Sequence, residues 1–404
     1  MPHWPPLPPA SDPERSVSGK LEDVGTTIFT VMSRRARELD ALNLGQGFPD
    51  YDIDPRLTEL VAEAMAGGHN QYAPMEGLPA LRERIAAKLH RSYGLRVDAE
   101  AEVTITLGAT EAIYSAVQAV IGAGDEAIAF DPAYDSYEPA VRLAGGRCIR
   151  VPLVPPHFRY DWDRVRAALS ARTRLVLFNS PHNPACCTAS PADLDELARV
   201  ISGRDMLVLS DEVYEHVVFD GAQHASVLAH PGLAASSFAV FSFGKTLHAT
   251  GLRVGYCVAP AKLTRELRKV HQFNTFSISH PLQHAIARYL GEQPRCGEDL
   301  AAFFQAKRDR VRRALASSAF VLPPAQGTYF QLLDFGAFAP PDDRAFAERL
   351  LTEARVATIP LSPFYAQPEP LSFVRLCIAK RDSTLDEAAA RLNAFATSAG
   401  RSQR

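Results

Sequence analysis

The stretch Ser242-Phe243-Gly244-Lys245-Thr246-Leu247-His248-Ala249-Thr250-Gly251-Leu252-Arg253 carries the most informative pattern in the chain. The apolar run Phe238 to Phe241 precedes it, as in a strand that enters a buried sheet. One lysine, Lys245, then stands among small, hydroxyl-bearing and glycine residues, and apolar residues continue on the far side. Burial would lower the pKa of that amine and make it nucleophilic. We therefore predict a Schiff-base lysine beside a phosphate-binding arginine, rather than the exposed lysine that is commoner in proteins.

Length and composition describe a globular protein, of two domains, without nucleic-acid or membrane partners. The 404 residues suffice for a large core, and 47% hydrophobic and 22% charged residues are ordinary for such a chain. A formal charge of −3 gives no general attraction to nucleic acid or to an anionic membrane, and no apolar segment is long enough for a membrane span. Six scattered cysteines lack the spacing of metal ligands. We expect free thiols, no metal and a cytoplasmic location.

Alternating strands and helices predict an α/β architecture for the middle of the chain. Short apolar strands are predicted at residues 103–107, 126–130, 147–151, 175–178, 206–209, 238–241 and 254–258. Helical segments separate several of them, which is typical of a mostly parallel sheet covered by helices on both faces. For the last third of the chain we predict a mostly helical segment at 261–289, strands at 327–333, 356–359 and 373–378, and a closing helix at 385–395.

These patterns also suggest domain boundaries. We assign residues 1–25 to a proline-rich N-terminal arm and residues 48–285 to a large cofactor-binding domain. Residues 26–47 and 286–404 are assigned to a smaller α+β domain.

Polar side chains collect where the predicted strands end. They are Thr110, Tyr134, Asn183, Asp211, Tyr214 and Lys245. Open α/β sheets bind ligands outside the carboxyl ends of their strands. We therefore expect these side chains to meet in one site.

A Schiff-base lysine works with a pyridine-type cofactor only if other groups support the ring. A buried carboxylate keeps the ring nitrogen protonated, and Asp211 suits that role, with a helix N-cap as the alternative. Asn183 and Tyr214 are candidate donors to the ring oxygen. Their alternatives are a turn residue before Pro184 and a half-buried core aromatic.

Candidates for binding phosphate and carboxylate are also present. Gly108-Ala109-Thr110 opens a predicted helix and offers free backbone N–H groups, while Ser242 adds a hydroxyl and Arg253 a fixed charge. Arg375 lies inside the apolar strand predicted at 373–378, where a cation is costly unless it is paired. Its partner is either a structural carboxylate or the carboxylate of a substrate.

Six motifs then point to a family. They are SFGKTLHATGLRVGY, SDEVYEH, NSPHNPA, LGQGFPD, NQYAPMEG and FVRLCIAK. Together they resemble the fold type I aminotransferases of class I and II, which use pyridoxal 5′-phosphate, from about Thr26 to the last helix. Stretches such as TTIFTVMS and FDPAYDSYEPA are most similar to the branch that contains bacterial methionine aminotransferase and the kynurenine aminotransferases.

The resemblance implies a role for each residue around the cofactor. Lys245 would bind it covalently and move the reacting proton, Asp211 would pair with the pyridine nitrogen, and Asn183 and Tyr214 would meet the ring hydroxyl. The ring would stack on Tyr134, and the phosphate would contact Ala109, Thr110, Ser242 and Arg253.

It also implies a homodimer with shared active sites and a substrate pocket. Tyr72 would reach the phosphate of the other subunit. Arg375 would bind the α-carboxylate of the substrate with Asn183 and the backbone at Gly47. Phe29 would lie in the pocket for the substrate side chain, and we expect the loops around Phe29, Tyr72 and Tyr365 to set substrate choice.

The chain departs from the family pattern at one place. Many members continue Asn-Pro with Thr-Gly or Ser-Gly, whereas this sequence has Asn183-Pro184-Ala185-Cys186-Cys187. The missing glycine is expected to change the turn after the site, with Asn183 itself retained.

The function expected from these residues is transamination from an apolar or aromatic L-amino acid, methionine first, to a 2-oxo acid. The alternatives are a kynurenine or aromatic aminotransferase and a β-lyase that cleaves cysteine S-conjugates with the same cofactor. A transcription regulator with an aminotransferase-like domain is set aside, because only about twenty-five residues precede the resemblance and a DNA-binding module needs more.

Overall fold

The computed structural model describes residues 19–338, 340–367, 369 and 371–401. The predicted arm therefore lies outside the described residues as far as residue 18. The helices are α1 (Ile28–Glu38), α2 (Pro55–Ala66), α3 (Pro79–Tyr93), α4 (Gly108–Val120), α5 (Tyr137–Leu143), α6 (Trp162–Ala168), α7 (Pro191–Ile201), α8 (Phe243–Thr246), α9 (Ala261–Asn274), α10 (His280–Glu292), α11 (Leu300–Ala314), α12 (Asp343–Glu353) and α13 (Asp382–Arg401).

The strands form one large sheet and two small ones. They are β1 (Leu42–Asn43), β2 (Val103–Thr106), β3 (Glu126–Asp131), β4 (Arg147–Pro152), β5 (Thr173–Asn179), β6 (Leu207–Asp211), β7 (Ser237–Ser242), β8 (Gly255–Val258), β9 (Phe330–Asp334), β10 (Val356–Ala357), β11 (Ile359–Pro360) and β12 (Phe373–Cys377). The large sheet has the order β2-β8-β7-β6-β5-β3-β4.

The direction of these strands brings their carboxyl ends to one edge. Strands β3 to β7 pair in parallel with their neighbours, and β8 runs antiparallel to β7. Strand β2 is antiparallel to β8, so it points the same way as the five parallel strands. The residues that follow β2, β3, β5, β6 and β7 therefore emerge at the same edge, where β8 begins.

Helices cover both faces of the large sheet, which confirms the predicted α/β architecture. Side chains alternate along the strands, so that Ala127 and Ala129 pack in a cluster with α4, α5 and α9. Ile128 and Phe130 point the other way, into a larger cluster that includes α7 and reaches the small sheets. Both faces are thus buried, and the strands are apolar almost throughout.

The small sheets join the two ends of the chain. Strand β1 pairs in parallel with β10, and β12 lies between β11 and β9 in an antiparallel sheet. Helix α10 continues through residue 285, where the sequence suggested a boundary, and contacts α2 and α3. The domain boundaries stay a prediction.

Local sequence explains where several helices begin. Ser190 and Asp193 form a capping box at the start of α7, and Pro191 occupies its first turn. Asp54 accepts a hydrogen bond from the Arg56 N–H at the start of α2.

Two helices were not predicted, and one predicted strand needs correction. Helices α5 and α6 were not predicted, because each has only seven residues and little room for a helical repeat. The segment predicted as one strand at 356–359 is two short strands, β10 and β11, that pair in different sheets. The helical segment at 261–289 is interrupted between Asn274 and His280.

Among the described residues, no helix combines the length and apolarity needed to cross a membrane.

Candidate active site

One cavity opens at the carboxyl edge of the large sheet, and most of the predicted site residues line it. The lining residues are Ala109, Thr110, Ile113, Tyr134, Asn179, Asn183, Asp211, Val213, Tyr214, Ser242, Gly244, Lys245, Thr250 and Arg253. The opening next to it shares six of these residues and adds others, among them Phe29, Gly47, Phe330 and Arg375. The edge of the sheet thus gathers residues from six separate segments of the chain.

Lys245 lies in the short helix α8, directly after β7, and its side chain lines the cavity. Its Nζ atom is 5.6 Å from the centre of the Tyr214 ring and 5.7 Å from that of Tyr329. Burial lowers the pKa of Lys245 to about 8, and the charges of Arg253 and Arg375 act in the same direction. The Tyr329 hydroxyl donates a hydrogen bond to the Lys245 carbonyl. Lys245 is therefore a less basic amine than an exposed lysine.

Asp211 ends strand β6 and is buried, with 6% of its surface exposed. Its Oδ2 accepts a hydrogen bond of 2.7 Å from the Tyr137 hydroxyl, and its Oδ1 accepts a longer one of 3.3 Å from the Val213 N–H. Burial raises the pKa of Asp211 to about 6, and these two hydrogen bonds oppose the rise. No helix begins at Asp211, so the alternative of a helix N-cap is wrong.

Asn183 and Tyr214 reach the cavity from the segments after β5 and β6. The Asn183 N–H donates to Asn179 Oδ1 at 2.8 Å, and Asn179 in turn donates to the Asp211 carbonyl at 2.8 Å. Asn179 thus ties the ends of β5 and β6 together, a role that the sequence analysis missed. Tyr214 is 2% exposed and packs edge-on against Tyr329. Both predicted residues are in place beside Lys245.

An anion-binding cradle lies where β2 passes directly into α4. No side chain caps this helix, so its first N–H groups are left for another acceptor. Gly108 has a φ of +71°, and a Cβ there would lie 2.8 Å from an Arg253 guanidinium nitrogen. Gly255 is equally constrained, because its Cβ would come within 2.8 Å of the Ala109 nitrogen. The two glycines let Arg253 and the helix start approach each other.

Arg253 has no carboxylate partner among the described residues. Its guanidinium donates a hydrogen bond to the Thr250 carbonyl, at 3.3 Å. With the hydroxyls of Thr110 and Ser242 beside it, the cradle offers a fixed positive charge, two hydroxyls and free backbone N–H groups. This donor set suits a phosphate group.

The sequence left open whether Arg375 pairs with a carboxylate of the protein or with that of a substrate. It lies in β12 with 1% of its surface exposed, and it forms no ion pair within the part of the chain that the structure describes. Its guanidinium donates to Asn183 Oδ1 at 2.5 Å and to the Gly45 carbonyl at 2.9 Å, and its Nε has no partner. The structural carboxylate that would have explained its burial is absent there.

Aromatic rings surround the Arg375 guanidinium. Its carbon is 3.7 Å from the centre of the Phe330 ring, 5.1 Å from Phe29 and 5.9 Å from Phe364. Gly47 makes room for this arrangement, because a Cβ there would lie 2.6 Å from the Phe330 ring. Aromatic rings and two neutral acceptors thus contact the guanidinium, and a carboxylate placed there would be strongly bound.

Tyr72 does not reach the cavity within its own chain. Its side chain is 82% exposed and contacts the edge of Phe276. Tyr365 does not line the cavity either, and its buried hydroxyl has no hydrogen-bond partner among the described residues.

Sequence reasoning missed three residues around the cavity besides Asn179. Tyr137 and Tyr329 fix Asp211 and Lys245 by hydrogen bonds, and Phe330 packs on Arg375. A signal existed for Tyr137, which follows Tyr134 by three residues in the motif FDPAYDSYEPA. Nothing in the sequence links Tyr329 or Phe330 to their partners.

The residues of the cavity fit pyridoxal 5′-phosphate. The cradle at Gly108 and Arg253 matches a phosphate, the buried Asp211 matches a protonated ring nitrogen, and Lys245 offers an amine of lowered pKa to an aldehyde. Arg375 lines the opening and forms no ion pair within the described residues, so its charge is available to the carboxylate of a second molecule.

Comparisons with known proteins agree with this geometry. The family model "Aminotransferase class I and II" matches residues 40–392. Methionine aminotransferase of Escherichia coli (strain K12) is 51% identical over 373 residues, which cover 92% of this chain and 97% of that protein. The solved structure of Escherichia coli YbdL, described as having a methionine aminotransferase function, is 49% identical with a TM-score of 0.91, and the match covers 96% of this chain and 100% of that one.

Two further relatives have other substrates in their names. The probable N-succinyldiaminopimelate aminotransferase of Mycobacterium tuberculosis is 37% identical over 388 residues, covering 93% of this chain and 98% of that protein. Kynurenine–oxoglutarate transaminase 1 of Rattus norvegicus is 31% identical over 413 residues, covering 94% and 98%. The family and the branch that the motifs predicted are confirmed.

The lowered pKa of Lys245 can be measured by competitive acetylation of the cofactor-free protein with acetic anhydride. The neutral amine is the reactive form, so labelling of Lys245 is expected to rise with pH and to reach half its maximum near pH 8. Mass spectrometry gives the extent of labelling, with the exposed Lys262 as an internal control. A midpoint near 10.5, the ordinary value for lysine, would contradict the effect of burial.

Proposed function

Because the chain belongs to the class I and II aminotransferase family, we propose that it transfers the amino group of an apolar L-amino acid, methionine foremost, to a 2-oxo acid. Members of this family depend on pyridoxal 5′-phosphate, and the chain is a transaminase of that kind. The preference for methionine is supported by 51% identity to the methionine aminotransferase of Escherichia coli. The observation that carries the proposal is the buried, unpaired Arg375 beside Lys245.

When bound, pyridoxal 5′-phosphate supplies an aldehyde that accepts amino groups and a pyridinium ring that withdraws electrons from the α-carbon of the substrate. We propose that the phosphate contacts the N–H groups at the start of α4, the hydroxyls of Thr110 and Ser242, and Arg253. Tyr134 would lie against the ring, and Asn183 and Tyr214 would donate to its hydroxyl. Asp211, as a carboxylate, holds the proton on the ring nitrogen.

Lys245 is proposed to move the proton of the reaction. Its neutral amine takes the proton from the α-carbon of the substrate and would return it to the carbon on the far side of the substrate nitrogen. A pKa of about 8 leaves about a tenth of the amine neutral at pH 7, far more than the ordinary value of 10.5 would. Tyr329 holds the backbone of this lysine through its hydrogen bond to the carbonyl.

Arg375 is proposed to bind the α-carboxylate of the substrate, helped by Asn183 and the backbone at Gly47. The guanidinium is held by two protein acceptors, so it is already oriented before a substrate arrives. Phe29, Phe330 and Phe364 give the pocket apolar, aromatic walls. A thioether side chain is favoured there, because sulfur makes favourable contacts with aromatic rings.

We propose that the enzyme is a homodimer in which the partner subunit's Tyr72 completes each site. Tyr72, Phe273 and Phe276 are 82%, 85% and 47% exposed, an unusual degree for large aromatic residues on one part of a surface. Mixing the two inactive variants Lys245→Ala and Tyr72→Ala would restore activity in hybrid dimers if sites are shared, and would restore none if each chain works alone.

We also propose a cytoplasmic location, which the six free cysteines support.

The variant Lys245→Ala is expected to lose turnover by at least about a thousandfold, because no other amine in the cavity can move the proton. It is also expected to lose the absorption band of the lysine-bound cofactor. Amino-acid-dependent formation of the 2-oxo acid and the visible spectrum are the measurements.

Lys262→Ala is the matched control, because Lys262 is an exposed lysine on α9. It is expected to behave as the wild type. Full transamination by Lys245→Ala would refute the proposal.

The variant Arg375→Lys tests the carboxylate site. Lysine cannot form the two-pronged bond, so KM is expected to rise roughly tenfold to a hundredfold for every α-amino acid donor alike. Steady-state kinetics with three donors of different side chains are the measurement. An unchanged KM would mean that Arg375 has a structural role only.

A panel of amino-acid donors tests the substrate class. Methionine is expected to give the highest kcat/KM, followed by aromatic donors, with aspartate and glutamate poor because the aromatic walls offer no second cation for a side-chain carboxylate. Kynurenine as the best donor would favour the aromatic alternative instead. Pyruvate and ammonia formed from a cysteine S-conjugate without any oxo-acid acceptor would favour the β-lyase.

A further inference from the structure

We propose that Tyr137 is the positioning residue for Asp211: its hydroxyl orients the carboxylate and keeps it ionised, so that the carboxylate can hold the proton on the cofactor ring. The inference rests on the role proposed for Asp211. Tyr137 does not itself line the cavity, so it would act only through Asp211.

The geometry joins two distant segments. Tyr137 is the first residue of α5, and Asp211 is the last residue of β6. The hydroxyl donates to Asp211 Oδ2 at 2.7 Å, and both side chains are buried, with 3% and 6% of their surfaces exposed. Tyr137 also meets the Tyr134 ring edge-on at a centroid distance of 5.6 Å. One side chain thus holds both Asp211 and the ring that is proposed to stack on the cofactor.

The Tyr137 bond is the main support for the charged form of Asp211. Burial raises the pKa of this carboxyl to about 6, and the Tyr137 hydrogen bond is the largest effect in the opposite direction. The Val213 N–H and the charge of Lys245 help less, and the charge of Glu212 acts against them. The phenols of Tyr134 and Tyr214 are the other titratable groups that face Asp211.

The ordinary explanation is that a buried tyrosine merely needs an acceptor for its hydroxyl. The chain offers a matched pair for comparison, because Tyr289 donates to Asp54 Oδ2 at the same distance of 2.7 Å. That pair lies at the start of α2 and does not line the cavity. Removal of the hydroxyl at either position breaks one tyrosine–carboxylate bond, but only the bond at Tyr137 touches Asp211.

The first test compares Tyr137→Phe and Tyr289→Phe with the wild type in the cofactor-free protein. Infrared spectroscopy follows the carbonyl band of the protonated Asp211 carboxyl, assigned by its loss in Asp211→Asn. Tyr137→Phe is expected to raise the midpoint of this titration by about one pH unit, because the carboxylate loses its best donor. Tyr289→Phe is expected to leave it unchanged.

The second test uses the holoenzyme. Tyr137→Phe is expected to lower kcat roughly threefold to tenfold with KM nearly unchanged, since the carboxylate of the substrate is bound elsewhere. In the Asp211→Asn background the same substitution is expected to have no further effect on kcat or on affinity for pyridoxal 5′-phosphate. Replacement of Tyr137 by 3-fluorotyrosine, which keeps the shape of the side chain and donates more strongly, is expected to shift the infrared midpoint downward.

The outcomes separate this inference from the proposed function. An active Tyr137→Phe enzyme with an unshifted carboxyl titration would overturn the role of Tyr137 and leave the transaminase intact. Lack of transamination by the wild type would overturn the proposed function, whereas the infrared titration would still test the Tyr137–Asp211 link. If Tyr137→Phe does not fold, the fluorotyrosine variant decides, and an unshifted midpoint there overturns the inference.

Discussion

The burial of charged groups at one edge of the sheet is the constraint on which the rest of the structure depends. Asp211, Lys245 and Arg375 are all held at the cavity, and none of the three forms an ion pair within the described residues. Removing such groups from water costs several kcal/mol each when they lack a partner. The apolar clusters on both faces of the sheet, together with the hydrogen bonds of Asp211 and Arg375, offset that cost. A protein that kept these charges only for stability would have paired them.

The shifted pKa values follow from the same constraint. Burial raises the pKa of Asp211 and lowers that of Lys245, so each group is moved toward its neutral form. A bound group with a positive ring nitrogen would stabilise the charged form of Asp211. Its reactive carbonyl would use the neutral amine of Lys245. The cavity is therefore less favourable without its ligand than with it, which is a common property of preorganised sites.

Close approach of backbone segments is what brings the site together. Gly108 and Gly255 allow the start of α4, Arg253 and β8 to meet, and Gly47 allows Phe330 to lie over Arg375. Most of the fold around these contacts could be predicted from apolar runs and helix starts, including α7 and the strands of the large sheet. Helices α5 and α6 could not, because seven residues give too little repeat, and the division of residues 356–360 between two sheets depends on strands far away in the chain.

The sequence by itself determined the chemistry. A lysine, an aspartate, two arginines and a glycine-led helix start next to apolar strands indicated a Schiff-base site for a pyridine-type cofactor, and the resemblance of six motifs to a known family implied a pyridoxal-phosphate transaminase. Tertiary structure alone decided how these groups are held. Tyr137 meets Asp211 across 74 residues, and Arg375 meets Asn183 across 192. No local pattern encodes such pairs, because they arise only when the strands align in register and bring the loops at their carboxyl ends together. The same alignment left Arg375 without a carboxylate partner in the part of the chain that the structure describes, which the sequence of its own strand could not show.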